Sequence, residues 1–215
     1  GFYATKIAAA AMLARVYLQK QDYSNAADAA NRAIDLAEAN GYELMPSYYD
    51  EFPYVTPPTP QANTAEDIFA MQVTTSTGTS DFQTYYSADG RGDITIEDAH
   101  FELYEPNDDR LSIFYSISGS SYSGKAENVY GNVRIIRLAE LYLVRAECNY
   151  RMGTELGATP VEDINTIRER VLLDPLDEES LTLDAILRER KLELSFEGFT
   201  LHDAKRLEQN IGPIS

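Results

Sequence analysis

The sequence predicts a mainly α fold: helical hairpins with a loop-rich, Tyr/Pro-rich insertion that carries a few short strands. Three observations lead there. Apolar and small residues recur at three- and four-residue steps in stretches near both ends of the chain. Short turn-forming segments separate successive stripes, which makes neighbouring helices antiparallel. The middle of the chain loses this period and gathers ten of the fifteen tyrosines together with six of the nine prolines.

From Thr5 to Gln19, Ile7, Ala10, Ala11, Ala14, Tyr17 and Leu18 fall on one helical stripe. Gln21-Asp22-Tyr23-Ser24 breaks the pattern, and a second stripe of Ala26, Ala27, Ala30, Ala33, Ile34 and Ala37 follows until Asn40-Gly41, where Gly41 suits a helix stop. Small residues let the two axes approach closely. The spacing resembles a tetratricopeptide repeat, with Leu13, Ala14, Tyr17, Ala26 and Ala33 at its large, small, aromatic and alanine positions, and it departs from that motif at Ala30.

Between Tyr42 and Asn132, Ile68–Val73 and Ile113–Ile117 read as short extended segments, because β-branched and aromatic residues fit a pleated surface. A third helix is expected over Val133–Met152 along Ile136, Ala139, Leu143, Ala146 and Tyr150, stopped by Gly153. Thr159-Pro160 then reads as an N-cap followed by proline at the first helical position, opening a helix with the stripe Val161, Ile164, Ile167, Val171. After the cap Thr182, a largely buried fifth helix carries Leu183, Ile186, Leu187 and Leu194 on one face and Leu192, Phe196 and Phe199 on the other. Its Arg188, Glu189, Arg190, Glu193 and Glu197 are expected to pair with one another or with backbone groups of nearby turns, since an unpaired buried charge is costly. The expected organisation is one domain in three stretches: a first helical hairpin at 1–41, an irregular Tyr-rich segment at 42–132, and a second hairpin with the C-terminal helix at 133–215.

Composition narrows the function classes. A 215-residue chain can bury roughly 70% of its unfolded surface. The net charge of −17 repels phosphate backbones and anionic lipid, so nucleic acid is not an expected partner. No apolar run approaches the roughly 20 residues of a membrane-spanning helix. One cysteine, Cys148, cannot close an internal disulfide, and two histidines without ligand spacing do not point to zinc; neither a metal nor a cofactor is expected.

A set of motifs then occurs in order: Arg137-Leu138-Ala139-Glu140-Leu141-Tyr142-Leu143 with Arg145-Ala146-Glu147; Ile164-Asn165 with Ile167-Arg168; Ile186 to Leu194 containing Glu189, Arg190 and Glu193; Phe196-Glu197-Gly198; and Asp203 with Arg206. With Glu66–Gln72 and Asp108-Asp109-Arg110 upstream, this series resembles the SusD/RagB-like family over nearly the whole chain. The chain departs from the family pattern at Thr200 and Leu201 after Phe199, and at Ala204 in place of a usual leucine.

Members of that family are about twice this long, so the resemblance implies the C-terminal portion of a longer protein, without the signal peptide and lipid anchor. It implies a non-catalytic glycan-binding lipoprotein on the outer membrane surface of Bacteroidetes-type bacteria. Its partners would be an oligosaccharide or polysaccharide and a SusC-like TonB-dependent transporter. The signature residues Arg137, Glu140, Glu147, Asn165, Arg168, Glu189, Arg190, Glu193, Glu197, Asp203 and Arg206 read as structural. The alternative is a tetratricopeptide-type protein-interaction scaffold that does not bind sugar.

Sugars present C–H-rich ring faces and rims of hydroxyls, so they call for aromatic plates beside carboxylates, amides or Arg. Tyr48, Tyr49, Tyr54, Tyr85, Tyr86, Tyr115 and Tyr122 are the candidates, with Asp50, Asp81, Asp89, Arg91 and Asn128 as polar companions. Loop tyrosines more commonly pack a flank on the scaffold. Catalysis has no comparable constellation. The Asp89–Asp93 stretch misses the glycine and glutamate of a calcium loop, His202-Asp203 lacks a nucleophile elbow, and Glu189/Glu193 and Asp108/Asp109 lie among arginines rather than across a cleft.

Overall fold

The computed structural model describes residues 2–210. In chain order its elements are α1 (Lys6–Gln19), α2 (Tyr23–Glu38), α3 (Tyr48–Glu51), β1 (Asp67–Met71), α4 (Asp81–Tyr86), α5 (Asp98–Phe101), β2 (Phe114–Ile117), β3 (Ser120–Ser123), β4 (Val133–Arg137), α6 (Leu138–Met152), α7 (Pro160–Arg170), α8 (Leu183–Glu193) and α9 (Phe199–Arg206). Short 3-10 turns precede β2 and follow β3. The fold is helix-dominated with two small two-stranded antiparallel sheets, β1–β4 and β2–β3.

The helix ends obey local chemistry. Thr5 and Asp22 cap α1 and α2 through side-chain oxygens that accept from Ala8 N and Asn25 N. Tyr23 and Ser24, expected in the break, open α2 instead, because the Asp22 cap starts the helix two residues earlier. Thr159 and Glu162 form a reciprocal capping box ahead of Pro160, and Gly153, at φ +64°, closes α6.

Helix α6 is the hub. Its Leu138, Leu141, Val144 and Cys148 pack on the alanine-rich hairpin and on Ile68 and Ile136 of the β1–β4 pair. Its opposite side, Ala139, Leu143 and Ala146, packs on Ile164, Ile167, Ile186 and Leu194. A third cluster joins Tyr48, Phe52 and Ile113 to Val171 and Leu173 at the end of α7.

Two expectations are corrected. Val133–Arg137 is strand, not helix: its β-branched residues pair with β1, and Ile136 is core in either conformation. The final helix stops at Glu193 and restarts at Phe199. Phe196 and Gly198 take left-handed backbone conformations, and side chains from elsewhere satisfy the carbonyls left open at the break. Leu13, at the repeat's large-residue position, is 41% exposed beside exposed Met12 and Val16, because α2 and α6 cover the other side of α1.

Candidate functional site

The charged signature residues are drawn into a buried ionic lattice. Arg137, 1% exposed, donates to both oxygens of Glu197 at 2.8 and 2.9 Å, to Glu193 Oε1 at 3.0 Å, and to Glu66. Arg170 joins Glu66 at 2.7 Å and also reaches Glu193. Arg110 is clamped by Asp108 at 2.6 and 2.8 Å and bonds Glu189, which also faces Arg168 at 3.4 Å. Burial alone would raise the Glu193 carboxyl, but Arg170, Arg137 and Arg110 hold it well below the usual carboxylate range.

A second branch ties α6 to α8 and α9. Arg206 grips Glu147 through two bonds of 2.6 and 2.7 Å and shares Asp203 with Arg190. Glu140 receives Arg15 from α1, and Asn165 holds the loop at Leu176 by a reciprocal 2.8 Å pair. Arg168 also caps the Asp174 carbonyl. The pairs therefore run between elements rather than along α8: Glu189 meets Arg110 and Arg168, Glu193 meets Arg137 and Arg170, and Arg188 bonds the Leu103 carbonyl.

The seven tyrosines divide sharply. Tyr48 is 1% exposed and donates to the Glu193 carbonyl at 2.8 Å, while the Arg170 guanidinium and the Lys125 ammonium lie 5.3 and 5.2 Å from its ring. It belongs to the lattice and has no ring face for a ligand. Tyr122 is also buried: it stacks on Tyr115 at 5.6 Å, and Gly92 packs close over it. The Tyr115 hydroxyl accepts from Ala88 N at 3.1 Å, so this ring anchors the loop.

Tyr49, Tyr54 and Tyr85 are 45%, 43% and 41% exposed. Tyr85 lies under the Arg91 guanidinium, which also pairs with Asp93 at 2.7 Å. Tyr49 accepts from Tyr54 N at 3.4 Å, at the start of a loop pinned by Asn128, whose Oδ1 accepts from Val55 N at 2.9 Å.

Tyr86 is placed differently. Helix α4 brings it against Phe82, with ring centroids 5.8 Å apart and planes 30° from parallel. The pair stands as a ridge between two depressions. One is a cleft of about 70 Å³ walled by Phe52, Ser80, Ser123, Asn128, Asn132 and Arg134 with Lys125 and Glu197 at its base. The other, about 420 Å³, is lined by His100, Phe196, Gly198 and Thr200. Phe82, 43% exposed, is the residue that a search for tyrosines passes over; its signal is the four-residue step to Tyr86.

The wall amides are already committed. Asn132 accepts from Val73 N at 3.1 Å and donates to Gln61 O at 3.0 Å, so it shapes the wall. Arg134 is held by Glu51, whose carboxyl is pushed up to about 8 by burial and by Glu66, against the pull of Arg134. The Tyr86 hydroxyl and the exposed Asp81 carboxylate make no hydrogen bond to protein among the described residues. A larger groove of about 490 Å³ between α8 and α9 offers only Phe199 as an aromatic ring, and that ring is flanked by Arg15 and Arg190. Among the described residues no cluster of His, Cys, Asp and Glu could hold a metal ion, and no helix is long and apolar enough to cross a membrane.

Comparison with known proteins finds four matches. The SusD family model matches residues 115–212. A SusD-like protein of Bacteroides ovatus is 26% identical over 93% of this chain and 45% of its own length. A crystal structure of a candidate sugar binding protein from Bacteroides vulgatus superposes with a TM-score of 0.81 at 28% identity, covering 96% of this chain and 48% of that one. The fold is also that of surface glycan-binding protein A from Bacteroides thetaiotaomicron, solved with laminarihexaose: TM-score 0.76, 19% identity, 96% of this chain and 55% of that one. The chain spans about half the length of the relatives it matches.

Proposed function

We propose, from the premise that this chain is SusD/RagB-like in sequence and fold, that it is a non-catalytic glycan-binding component whose sugar contacts centre on the Phe82–Tyr86 ridge. The carrying observation is that ridge: two stacked rings, open to solvent on one side, set between two depressions. A stacked aromatic pair offers a broad apolar face to the C–H side of a pyranose, and the Tyr86 hydroxyl, Asp81 and Ser80 stand beside it for sugar hydroxyls. A cleft of about 70 Å³ is far below the roughly 300–1,000 Å³ of sites that engulf a ligand. With a cleft that small on one side and the wider depression of about 420 Å³ on the other, the glycan lies across the ridge with room for a sugar ring on the wider side only.

The electrostatics favour binding without hydrolysis. Glycosidases need a carboxyl kept protonated to act as acid, opposite a second one. Glu197 is the one carboxylate lining the smaller cleft among the described residues. Burial would raise it, but Arg137 and Lys125 hold it below its usual value.

The family-level reading extends to a surface-exposed location on the outer membrane, a SusC-like TonB-dependent transporter as partner, and a longer parent protein. Residues 1–41 and 133–215 then form the scaffold of a single domain, with 42–132 presenting the ligand face. An oligosaccharide array followed by calorimetry tests the site: F82A and Y86A each weaken binding ~10-fold, the scale of one aromatic stacking contact. Retained affinity in both variants, or no glycan bound by the unaltered chain, refutes the proposal.

A further inference from the structure

Lys125 joins the wall of the cleft to the ionic lattice by hydrogen bonds. The 3-10 turn Gly124–Ala126 follows β3 and packs directly on backbone: a Cβ on Gly124 would lie 2.6 Å from the Ile113 carbonyl oxygen. From this turn Lys125 reaches inward. Its Nζ donates to the carbonyls of Glu193 and Ser195, each at 2.9 Å, and to Glu197 Oε1 at 2.6 Å. These carbonyls lie at the broken end of α8, where intrahelical partners run out. The ammonium also sits 4.8 Å from the Phe52 ring centroid, and the side chain is 4% exposed.

The ligand-facing parts hang from the same stretch. Ser123 and Asn128 form the wall, Asn128 carries the loop at Val55, and Ser80, the residue before α4, donates its N–H to the Val129 carbonyl at 2.9 Å. The ridge is therefore tied to the Ser123–Val129 part of the wall.

We propose that Lys125 is a positioning residue for the glycan site: its three hydrogen bonds fix the Ser123–Val129 wall to the end of α8 and so set where the Phe82–Tyr86 ridge stands. The affinity part of this inference rests on the glycan-binding reading; the fixing of the wall does not.

Protonation separates positioning from plain structural support. Burial lowers the Lys125 ammonium to about 8, with Glu197 and Glu193 opposing and Arg137 assisting; the neighbouring Tyr48 hydroxyl shares the Glu193 carbonyl. A depressed lysine adds stability above its unfolded value of 10.5, and that contribution is lost as pH falls through about 8. Raising the pH through 8 thus relieves a cost to the whole fold while loosening the wall. Positioning predicts that affinity falls over this range.

The test compares the unaltered 215-residue chain with K125M and K125R, by amide hydrogen exchange across residues 80–86 and 123–129 and by calorimetry with laminarihexaose and the best array oligosaccharide. K125M is expected to melt cooperatively, to exchange ~10-fold faster in the wall, and to bind ~10-fold more weakly, the scale of one lost charge-assisted bond. K125R, which keeps its charge at all these pH values, is expected to retain affinity and to lose the step near pH 8. Unchanged wall exchange in K125M overturns the proposal, as does faster exchange with undiminished affinity. If the unaltered chain binds no glycan while the K125M wall loosens, the glycan reading fails and the positioning stands. Should K125M not fold, the pH step in the unaltered chain, set against K125R, decides.

Discussion

The ionic lattice around Arg137 and the aromatic ridge at Phe82 both adjoin Lys125 and Glu197, and they treat functional groups in opposite ways. In the lattice most donors and acceptors are used within the protein, and Arg137 alone serves Glu66, Glu193 and Glu197, although Arg170 Nε, both terminal nitrogens of Arg190 and Glu193 Oε2 make no hydrogen bond among the described residues. On the ridge, ring faces and the Tyr86 hydroxyl are left unused. The first arrangement defines a geometry; the second offers a surface. Tyr48 and Tyr86 show that residue type does not choose between them, since one tyrosine is enclosed by cations and the other faces a cleft.

The largest break in this comparison comes from R137M. It takes one cationic partner from each of three buried carboxylates and should cost about 3–5 kcal/mol in urea unfolding, whereas F82A should change the unfolding free energy by no more than about 0.5 kcal/mol. Equal losses in both would erase the distinction between frame and surface.

Next is pH. Glu51 titrates above its unfolded value, so its contribution to stability is complete below pH 4.5 and is lost as pH rises through about 8. Chemical denaturation across that window should show stability declining with a slope of at most about 1.4 kcal/mol per pH unit from this group, and E51Q should remove that part of the slope. A profile unchanged by E51Q would place the ionised form comfortably in the fold.

The smallest test is a pair of single-atom deletions. Y48F loses the bond to the Glu193 carbonyl and should cost about 1 kcal/mol in thermal or urea unfolding. Y86F should be silent in stability and weaken glycan binding. The reverse pattern would exchange the two tyrosines' roles.

Legibility in the sequence follows the same division. The alanine stripe from Ala26 to Ala37 and the Thr159–Pro160–Glu162 start are local patterns, and the structure reproduces them because period and capping act over a few residues. The strand at Val133–Arg137 was hidden by a stripe that Ile136 continues into α6; pairing with the distant β1 is a long-range fact. The candidate site was half legible. Tyr86 is in the tyrosine pool, but Phe82 is missing from it, and Tyr48 and Tyr122 are in it although both are buried.

By itself the sequence determined the helical hairpins, their caps, the irregular middle, and an ordered set of charged motifs that points to one family. Each follows from periodicity or from residue types at short spacing. The tertiary structure decided which charge meets which, where the last helix breaks, and which aromatic faces stay open. Those outcomes depend on burial. Arg137 can neutralise Glu66, Glu193 and Glu197 only after strand, helix and turn have been packed together, and the ridge stays open because no element among the described residues covers it.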